Sequence, residues 1–325
     1  MALKLSDVKT AVHNDWCPGC GDFGIEASLQ MALTEIPIDL HKVALFSGIG
    51  CSGKIVHWTN TFGIHTLHGR VLPFAQGAKL ANPDLEVIAL GGDGDGFGIG
   101  VGHFVHAGRR NIDMTYIIHD NQVYGLTKGQ ASPTLALGTQ TKSLPEPNIN
   151  SSLNPIMLAL SAGFTFIARS YSFDNRHLKD TIKRAIAHKG FAFVDVLQPC
   201  PTYNDINTKD WYAGEDLPKD EKTNRAIPRY YDVEKTTNFD PKIPPGLDEE
   251  QVEQKLLQVI GLARQWGEKI PIGVLYQNEN VSTYDQRMLK RIESYLTSPP
   301  AKQSVVEDDG KSKVDLTKLS DQLRV

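Results

Sequence analysis

As far as residue 200 the chain alternates short, unbroken apolar runs with stretches of helical spacing, and this alternation limits the folds open to it. "KVALFSG" (42–48), "LEVIALGG" (85–92), "IDMTYIIHDN" (112–121), "TFIARS" (165–170) and "FAFVDVLQPC" (191–200) read as strands buried on both faces. Helical periodicity fills the gaps at 23–36, 73–82, 97–110, 155–163 and 175–190, although glycines weaken the third of these. Strands with no polar face must be covered on both sides. Strands joined through helices run parallel, so the pattern predicts a doubly wound α/β domain over residues 1–200.

From residue 201 the texture changes. "PTYNDINTKDWYAGEDLPKDEKTNRAIPRYYDVEKT" is polar, aromatic and without period, and a structureless stretch of this length is expected to cover a site or wrap a partner. Helical spacing at 249–266 and 284–296 flanks a possible strand, "IPIGVLYQ". Residues 299–325 mix their charges, lack aromatics and are expected to stand free or dock on another chain. The sequence therefore predicts that 201–325 is a partner-contacting C-terminal arm with a small α/β extension.

Composition narrows the function. A net charge of −4 spread over 325 residues offers no electrostatic footprint for nucleic acid or an acidic membrane. No apolar run approaches the roughly 20 residues of a membrane span, and the N-terminus lacks the apolar core of a signal peptide. A cytoplasmic protein is the expectation.

The chemistry begins at "ALGGDGDGFGIG" (89–100), where glycines and two aspartates follow an apolar strand. Strand-end glycines commonly let backbone approach a phosphate, yet aspartate repels one. A dinucleotide-binding G-x-G-x-x-G fails on register from every starting glycine, and only Asp120, at the next strand end where a ribose-binding acid would stand, keeps that alternative open. A calcium loop fails for want of a ligand ladder and terminal glutamate. The better reading pairs Asp93 with Asn121, at the end of the following strand. Neighbouring parallel strands bring both to one edge. There a carboxylate, an amide oxygen and one backbone carbonyl just past Asn121 suit Mg²⁺, with positions left for a diphosphate and water. One aspartate then holds the metal that brings the anion.

At these residues the chain resembles the thiamine-diphosphate enzymes, whose motif is GDG followed by a distant asparagine. The resemblance implies that Asp93, Asn121 and the carbonyl of Val123 hold Mg²⁺. It also implies that Gly94, Asp95, Gly125 and Leu126 line the cofactor.

Four cysteines lie beside Pro or Gly, in "CPGCG" (17–21), "GIGCSGK" (48–54) and "QPC" (198–200). Cys51 and Cys200 follow predicted strands and share the edge of Asp93 and Asn121. A [4Fe–4S] cluster takes four cysteines, and structural zinc takes the same set. A redox dithiol at Cys17 and Cys20 would leave two cysteines unexplained. Beside a carbanion-forming cofactor the cluster gains weight, because it accepts electrons and zinc does not.

Taken in order, CPGCG, GIGCSGK, LHGR (67–70), GDGD (92–95), DNQVYGLTKGQ (120–130) and QPC make the chain resemble the beta subunits of 2-oxoacid:ferredoxin oxidoreductases. The resemblance implies oxidative decarboxylation of 2-oxoacids such as pyruvate and 2-oxoglutarate to acyl-coenzyme A. It implies thiamine diphosphate, Mg²⁺ and one [4Fe–4S] cluster on Cys17, Cys20, Cys51 and Cys200, with electrons passing to ferredoxin. Ile49, Gly50, Cys51 and Ser52 would lie between the two centres, and His68 would meet the diphosphate. Lys54 and Lys128 are candidates for a substrate carboxylate, while His57, His65, His103 and His106 read as structural. Thiamine enzymes also need a glutamate from a second, similar domain, and only one such unit is visible. An alpha subunit is expected to supply it. Two alternatives stand beside this reading: a non-oxidative thiamine decarboxylase or lyase subunit with structural zinc, and a non-catalytic, zinc-stabilised assembly subunit.

Overall fold

The computed structural model describes residues 3–323. Among them, ten strands are β1 (Val43–Ser47), β2 (Phe62–His65), β3 (Glu86–Gly92), β4 (Met114–Asp120), β5 (Val123–Tyr124), β6 (Gln130–Ala131), β7 (Phe166–Tyr171), β8 (Phe191–Leu197), β9 (Tyr230–Asp232) and β10 (Ile270–Gln277). Eight of them form one sheet in the order β2-β1-β3-β4-β8-β7-β10-β9, and β5 and β6 make a separate hairpin. Strands β2 to β7 in that order are parallel; β10 joins β7 antiparallel and β9 runs parallel to β10. The expected doubly wound sheet is present, extended by two strands from beyond residue 200.

The α-helices among the described residues are α1 (Leu5–Val8), α2 (Asp22–Glu35), α3 (Val71–Ala81), α4 (Val101–Arg110), α5 (Pro155–Ala162), α6 (Asn175–Ala187), α7 (Lys209–Ala213), α8 (Val233–Thr237), α9 (Glu249–Ala263), α10 (Tyr284–Leu289) and α11 (Thr317–Leu323). Alternate residues of each central strand face opposite layers. Phe46, Val87, Ala89, Tyr116, Ile118 and Phe193 pack against Leu72 of α3, Phe104 of α4, Ile156 of α5 and Val259 of α9. Leu45, Ile88, Leu90, Ile117, Val194 and Val196 pack against Ile25 and Leu29 of α2 and Leu178 and Ile182 of α6. Burial on both faces is why these strands carry no polar alternation.

Two departures from the sequence expectation have physical causes. The helix expected over 97–110 begins only at Val101, because the backbone kinks at Gly98 (ψ −108°) and Gly94–Ile99 forms an irregular turn. The edge strand β2 carries no sequence signal, since all four of its residues are exposed and no buried face imposes a period.

The segment 201–235 packs largely on its own chain. Thr208 caps α7 by accepting from the Trp211 N–H (3.1 Å). The Tyr212 ring is buried with Tyr171, Leu197, Ile270 and Ile272, and Arg229 lies over Trp211 at 4.5 Å. These aromatics serve a third, smaller core where the parallel sheet meets its added strands. Tyr212→Ala should therefore destabilise the isolated chain by about 3–5 kcal/mol, as for other large buried rings. Urea unfolding of the unpartnered chain measures this, and an unchanged midpoint would mean that the segment stabilises only an assembly.

Candidate functional site

The carboxyl ends of β1, β3, β4 and β8 lie along one edge, which is where open α/β sheets place their ligands. After β1 the chain turns to β2 on one side, whereas after β3 it crosses through α4 to β4 on the other. The two departing loops part, and a crevice opens between them. A cavity of about 160 Å³ sits there, lined by Ile49, Gly50, Cys51, Ser52 and His68, by Gly92–Asp95, and by His119, Asn121 and Val123–Thr127. Every position expected to touch the cofactor or Mg²⁺ is in that lining: Ile49, Gly50, Cys51, Ser52, His68, Asp93, Gly94, Asp95, Asn121, Val123, Gly125 and Leu126.

Asp93 is buried, and its Oδ2 accepts three hydrogen bonds: from Gln122 N (2.9 Å), Ser132 Oγ (2.5 Å) and Thr134 Oγ1 (2.6 Å). Burial pushes its carboxyl up, and the two hydroxyls oppose that shift. Thr134 Oγ1 also lies 2.8 Å from Asp120 Oδ1. Asp120 points away from the crevice, and burial followed by the charge of Asp93 raises its carboxyl well above the usual range. Asn121 Oδ1 accepts from Val123 N (3.0 Å), which fixes the amide at the end of β4.

Asp95 answers the question of the second aspartate. Its Oδ1 accepts from Ile49 N (3.0 Å) and Gly69 N (2.8 Å), and His68 Nδ1 lies 3.0 Å away. It ties the β3 loop to the loops that follow β1 and β2. The glycines beside it also have a different cause from close phosphate approach. A Cβ at Gly94 or Gly98 would collide with Tyr124, and one at Gly96 with Tyr116. Only Gly92 of this run would carry a Cβ without collision, with Ser52 Oγ 3.4 Å away. The cavity also carries unsatisfied groups: Ser52 Oγ, Asp95 Oδ2 and His119 Nε2 are buried without partners.

All four cysteines are free thiols; Cys51 lines the cavity and the segments that carry the others pack beside it. Gly21 N donates to Pro199 O (3.1 Å), which seats the CPGCG turn against the QPC turn. Trp16 Nε1 donates to Cys51 O (2.8 Å) and pins the third segment to the first. A Cβ at Gly125 would stand 3.5 Å from Cys51 Sγ and 3.9 Å from Cys200 Sγ, which places this part of the cavity wall directly beside both sulfurs. Burial, then Asp22, then Cys200 raise the Cys51 thiol to about 12. Burial and Asp22 push Cys20 up as well, and Cys200 adds to that. Burial raises Cys200 against the pull of the Thr202–Asn204 N–H groups. Among the described residues no three His, Cys, Asp or Glu side chains close on a single metal ion.

Lys54 and Lys128 do not line the cavity. Lys54 pairs with Asp15 at 2.9 Å, and Lys128 is an exposed residue just beyond the lining residue Thr127. Sequence reasoning missed other residues. His119 is buried in the cavity wall with Nδ1 2.7 Å from Asp22 Oδ1, and Ser132 and Thr134 hold Asp93. A histidine inside an apolar strand and hydroxyls in a Pro-rich loop carry no spacing signal.

Residues 48–196 match the family model of the thiamine pyrophosphate enzyme C-terminal TPP-binding domain. Fold and cavity together thus define the class, a thiamine diphosphate-binding α/β domain. Residues 200–292 match a second family model, that of the C-terminal region of the pyruvate ferredoxin oxidoreductase beta subunit. The chain is 54% identical over 314 residues to a 2-oxoacid:ferredoxin oxidoreductase beta subunit of Saccharolobus solfataricus, covering 96% of this chain and 97% of the relative. It is 50% identical to an Aeropyrum pernix beta subunit over 94% of this chain and 91% of the relative. A solved 2-oxoglutarate:ferredoxin oxidoreductase from Magnetococcus marinus, with 2-oxoglutarate, coenzyme A and succinyl-CoA bound, superposes with a TM-score of 0.75. It shares 35% identity, and the match covers 99% of this chain and 97% of that one. The chain belongs to the beta subunits of the 2-oxoacid:ferredoxin oxidoreductases. Among the described residues no helix is long and apolar enough to cross a membrane.

Thr134→Val keeps the side-chain volume but leaves a buried oxygen of Asp120 unsatisfied and takes one of three donors from Asp93. The expected cost is about 1–3 kcal/mol of stability, read from denaturant unfolding.

Proposed function

We propose that Asp93, Asn121 and the carbonyl of Val123 hold a Mg²⁺ ion that anchors the diphosphate of thiamine diphosphate. Cys17, Cys20, Cys51 and Cys200 hold one [4Fe–4S] cluster in this reading. With an alpha subunit, the chain oxidatively decarboxylates 2-oxoacids to acyl-coenzyme A and passes the electrons to ferredoxin. One observation carries the proposal: the cavity that gathers the GDG turn and Asn121 is also lined by Cys51 and by Gly125, which lies beside the Cys51 and Cys200 sulfurs.

The donors suit both groups in kind, oxygens for the hard cation and four thiols for the cluster. Three donors occupy Asp93 Oδ2, which leaves Oδ1 for a hard cation. Ser52 Oγ and His119 Nε2 are unpartnered in the wall, ready for the polar atoms of a ligand. When bound, thiamine diphosphate supplies the electron sink for decarboxylation and the cluster accepts electrons one at a time. The chain's own work is placement. Asp95 holds the loop bearing Ile49, Gly50, Cys51 and Ser52 against the loop bearing Gly94, and in this reading His68 at their junction meets the diphosphate. Gly125 and Leu126 close the side nearest the Cys51 and Cys200 thiols. In this reading Lys128, just past the lining residue Thr127, meets a substrate carboxylate at the rim, and Lys54 would have to leave Asp15 to do so. Raising the thiols, as burial does here, makes cluster uptake release protons and so favours it at higher pH.

A cavity of about 160 Å³ is smaller than the roughly 300–1,000 Å³ of sites that enclose a ligand of this size. The remaining wall is assigned to the alpha subunit, together with the carboxylate for the aminopyrimidine. A closed interface also keeps water from the reacting centre.

The anaerobically purified chain should be brown, with about four iron per chain and matching acid-labile sulfide. Cys200→Ser should lose or destabilise the cluster, whereas stoichiometric zinc without iron would defeat the reading. Asp93→Ala should weaken cofactor binding at least tenfold (about 1.4 kcal/mol) in calorimetric titration with Mg²⁺ and thiamine diphosphate. Co-expression with an alpha-type chain should give a complex that reduces ferredoxin with 2-oxoacid and coenzyme A. The separated chain should keep its cluster and show no turnover.

A further inference from the structure

Gln198 links the cofactor cavity to the cysteines through a single side chain. It lies just past β8, where its backbone N donates to Asp120 O (2.9 Å), and it is buried. Its Oε1 accepts from Asn121 Nδ2 (2.7 Å). Its Nε2 donates to Cys20 Sγ (3.3 Å) and to Pro199 O (2.9 Å). All of the amide's polar atoms are in use, and their sense is determined. Turning the amide over would set its oxygen against the Pro199 carbonyl and its NH₂ against that of Asn121.

We propose that Gln198 is a positioning residue that serves both centres at once. It holds Asn121 with the amide oxygen turned to the Val123 N–H and the cation position, and it supplies an N–H donor to the Cys20 sulfur. The proposal rests on the assignment of Cys20 as a cluster ligand.

The second function follows from the chemistry of the sulfur. As a thiol, Cys20 can donate to Asp22 Oδ2 (3.4 Å). As a ligand thiolate it can only accept, and Asp22, itself an acceptor from His119 Nδ1, has nothing to give it. Gln198 is then the side-chain donor left at this sulfur. Donors to cluster sulfurs draw off negative charge and stabilise the reduced state, so they raise the reduction potential. The same amide therefore sets how Asn121 meets the cation and how readily the cluster takes an electron.

Two variants separate the two functions. Gln198→Glu preserves length and an oxygen acceptor for Asn121 Nδ2 but removes the donor to sulfur. Gln198→Leu removes both contacts. Redox titration of the anaerobic complex, followed by electron paramagnetic resonance, should give a lower potential for both variants. The expected shift is roughly tenfold in the one-electron equilibrium, or about 59 mV. Calorimetry with Mg²⁺ and thiamine diphosphate should show a loss of about tenfold, or about 1.4 kcal/mol, for Gln198→Leu and near wild-type affinity for Gln198→Glu. Full iron content with unmoved potential in both variants would overturn the proposal. So would equal affinity losses, or loss of the cluster from both variants in chains that remain folded by circular dichroism. Wild-type protein without iron would defeat the cluster assignment instead, and the Gln198→Leu affinity would still test the link to Asn121.

Discussion

Parallel alignment of β1, β3, β4 and β8 is the constraint on which the site depends. An antiparallel neighbour would send alternate strand ends to opposite edges, and Cys51, Asp93, Asn121 and Cys200 would not meet. The alignment is secured by ladders such as Ser47 opposite Leu90, Gly92 opposite His119 and Asp120 opposite Leu197. It is also secured by burial on both faces, which leaves no residue of these strands fully exposed. The parallel sheet ends where β10 pairs antiparallel with β7, beyond the last strand that contributes to the site.

At that edge the protein places negative groups where burial disfavours their charge. Asp93, Asp95 and Asp120 are all pushed up, chiefly by burial. The thiols of Cys20, Cys51 and Cys200 are pushed up too. Strain of this kind is common in binding sites that await a cation, because the cation returns what desolvation removed. Hydrogen bonds meet part of the cost beforehand: three donors on Asp93 Oδ2, two backbone N–H groups on Asp95 Oδ1, and backbone N–H groups near the Cys200 sulfur. The site is thus held in shape by contacts that do not themselves satisfy its charge.

The region beyond residue 200 follows a different logic. Its aromatics fill the corner between the parallel sheet and the added strands, and Trp211 lies between Arg229 and Trp266. Polar, aperiodic sequence there does not mean loose structure. Its order comes from single caps such as Thr208 and from rings seated on distant strands, features too sparse to produce a period.

The sequence alone determined the doubly wound sheet, because unbroken apolar runs of strand length between helical segments admit few other arrangements. It also brought Cys51, Asp93, Asn121 and Cys200 to one edge. Strand ends are local features, and parallel pairing sends them to one edge whatever the details of packing. It could not show β2, whose residues face outward, or the reason for Gly94, Gly96 and Gly98, which lies in two tyrosines from other strands. Nor could it show how the site is braced. Ser132 and Thr134 reach Asp93 across 39 and 41 residues, His119 meets Asp22 across 97, and Gln198 meets Cys20 across 178. Contacts of that range have no periodicity and no fixed spacing, so only the tertiary structure decides them.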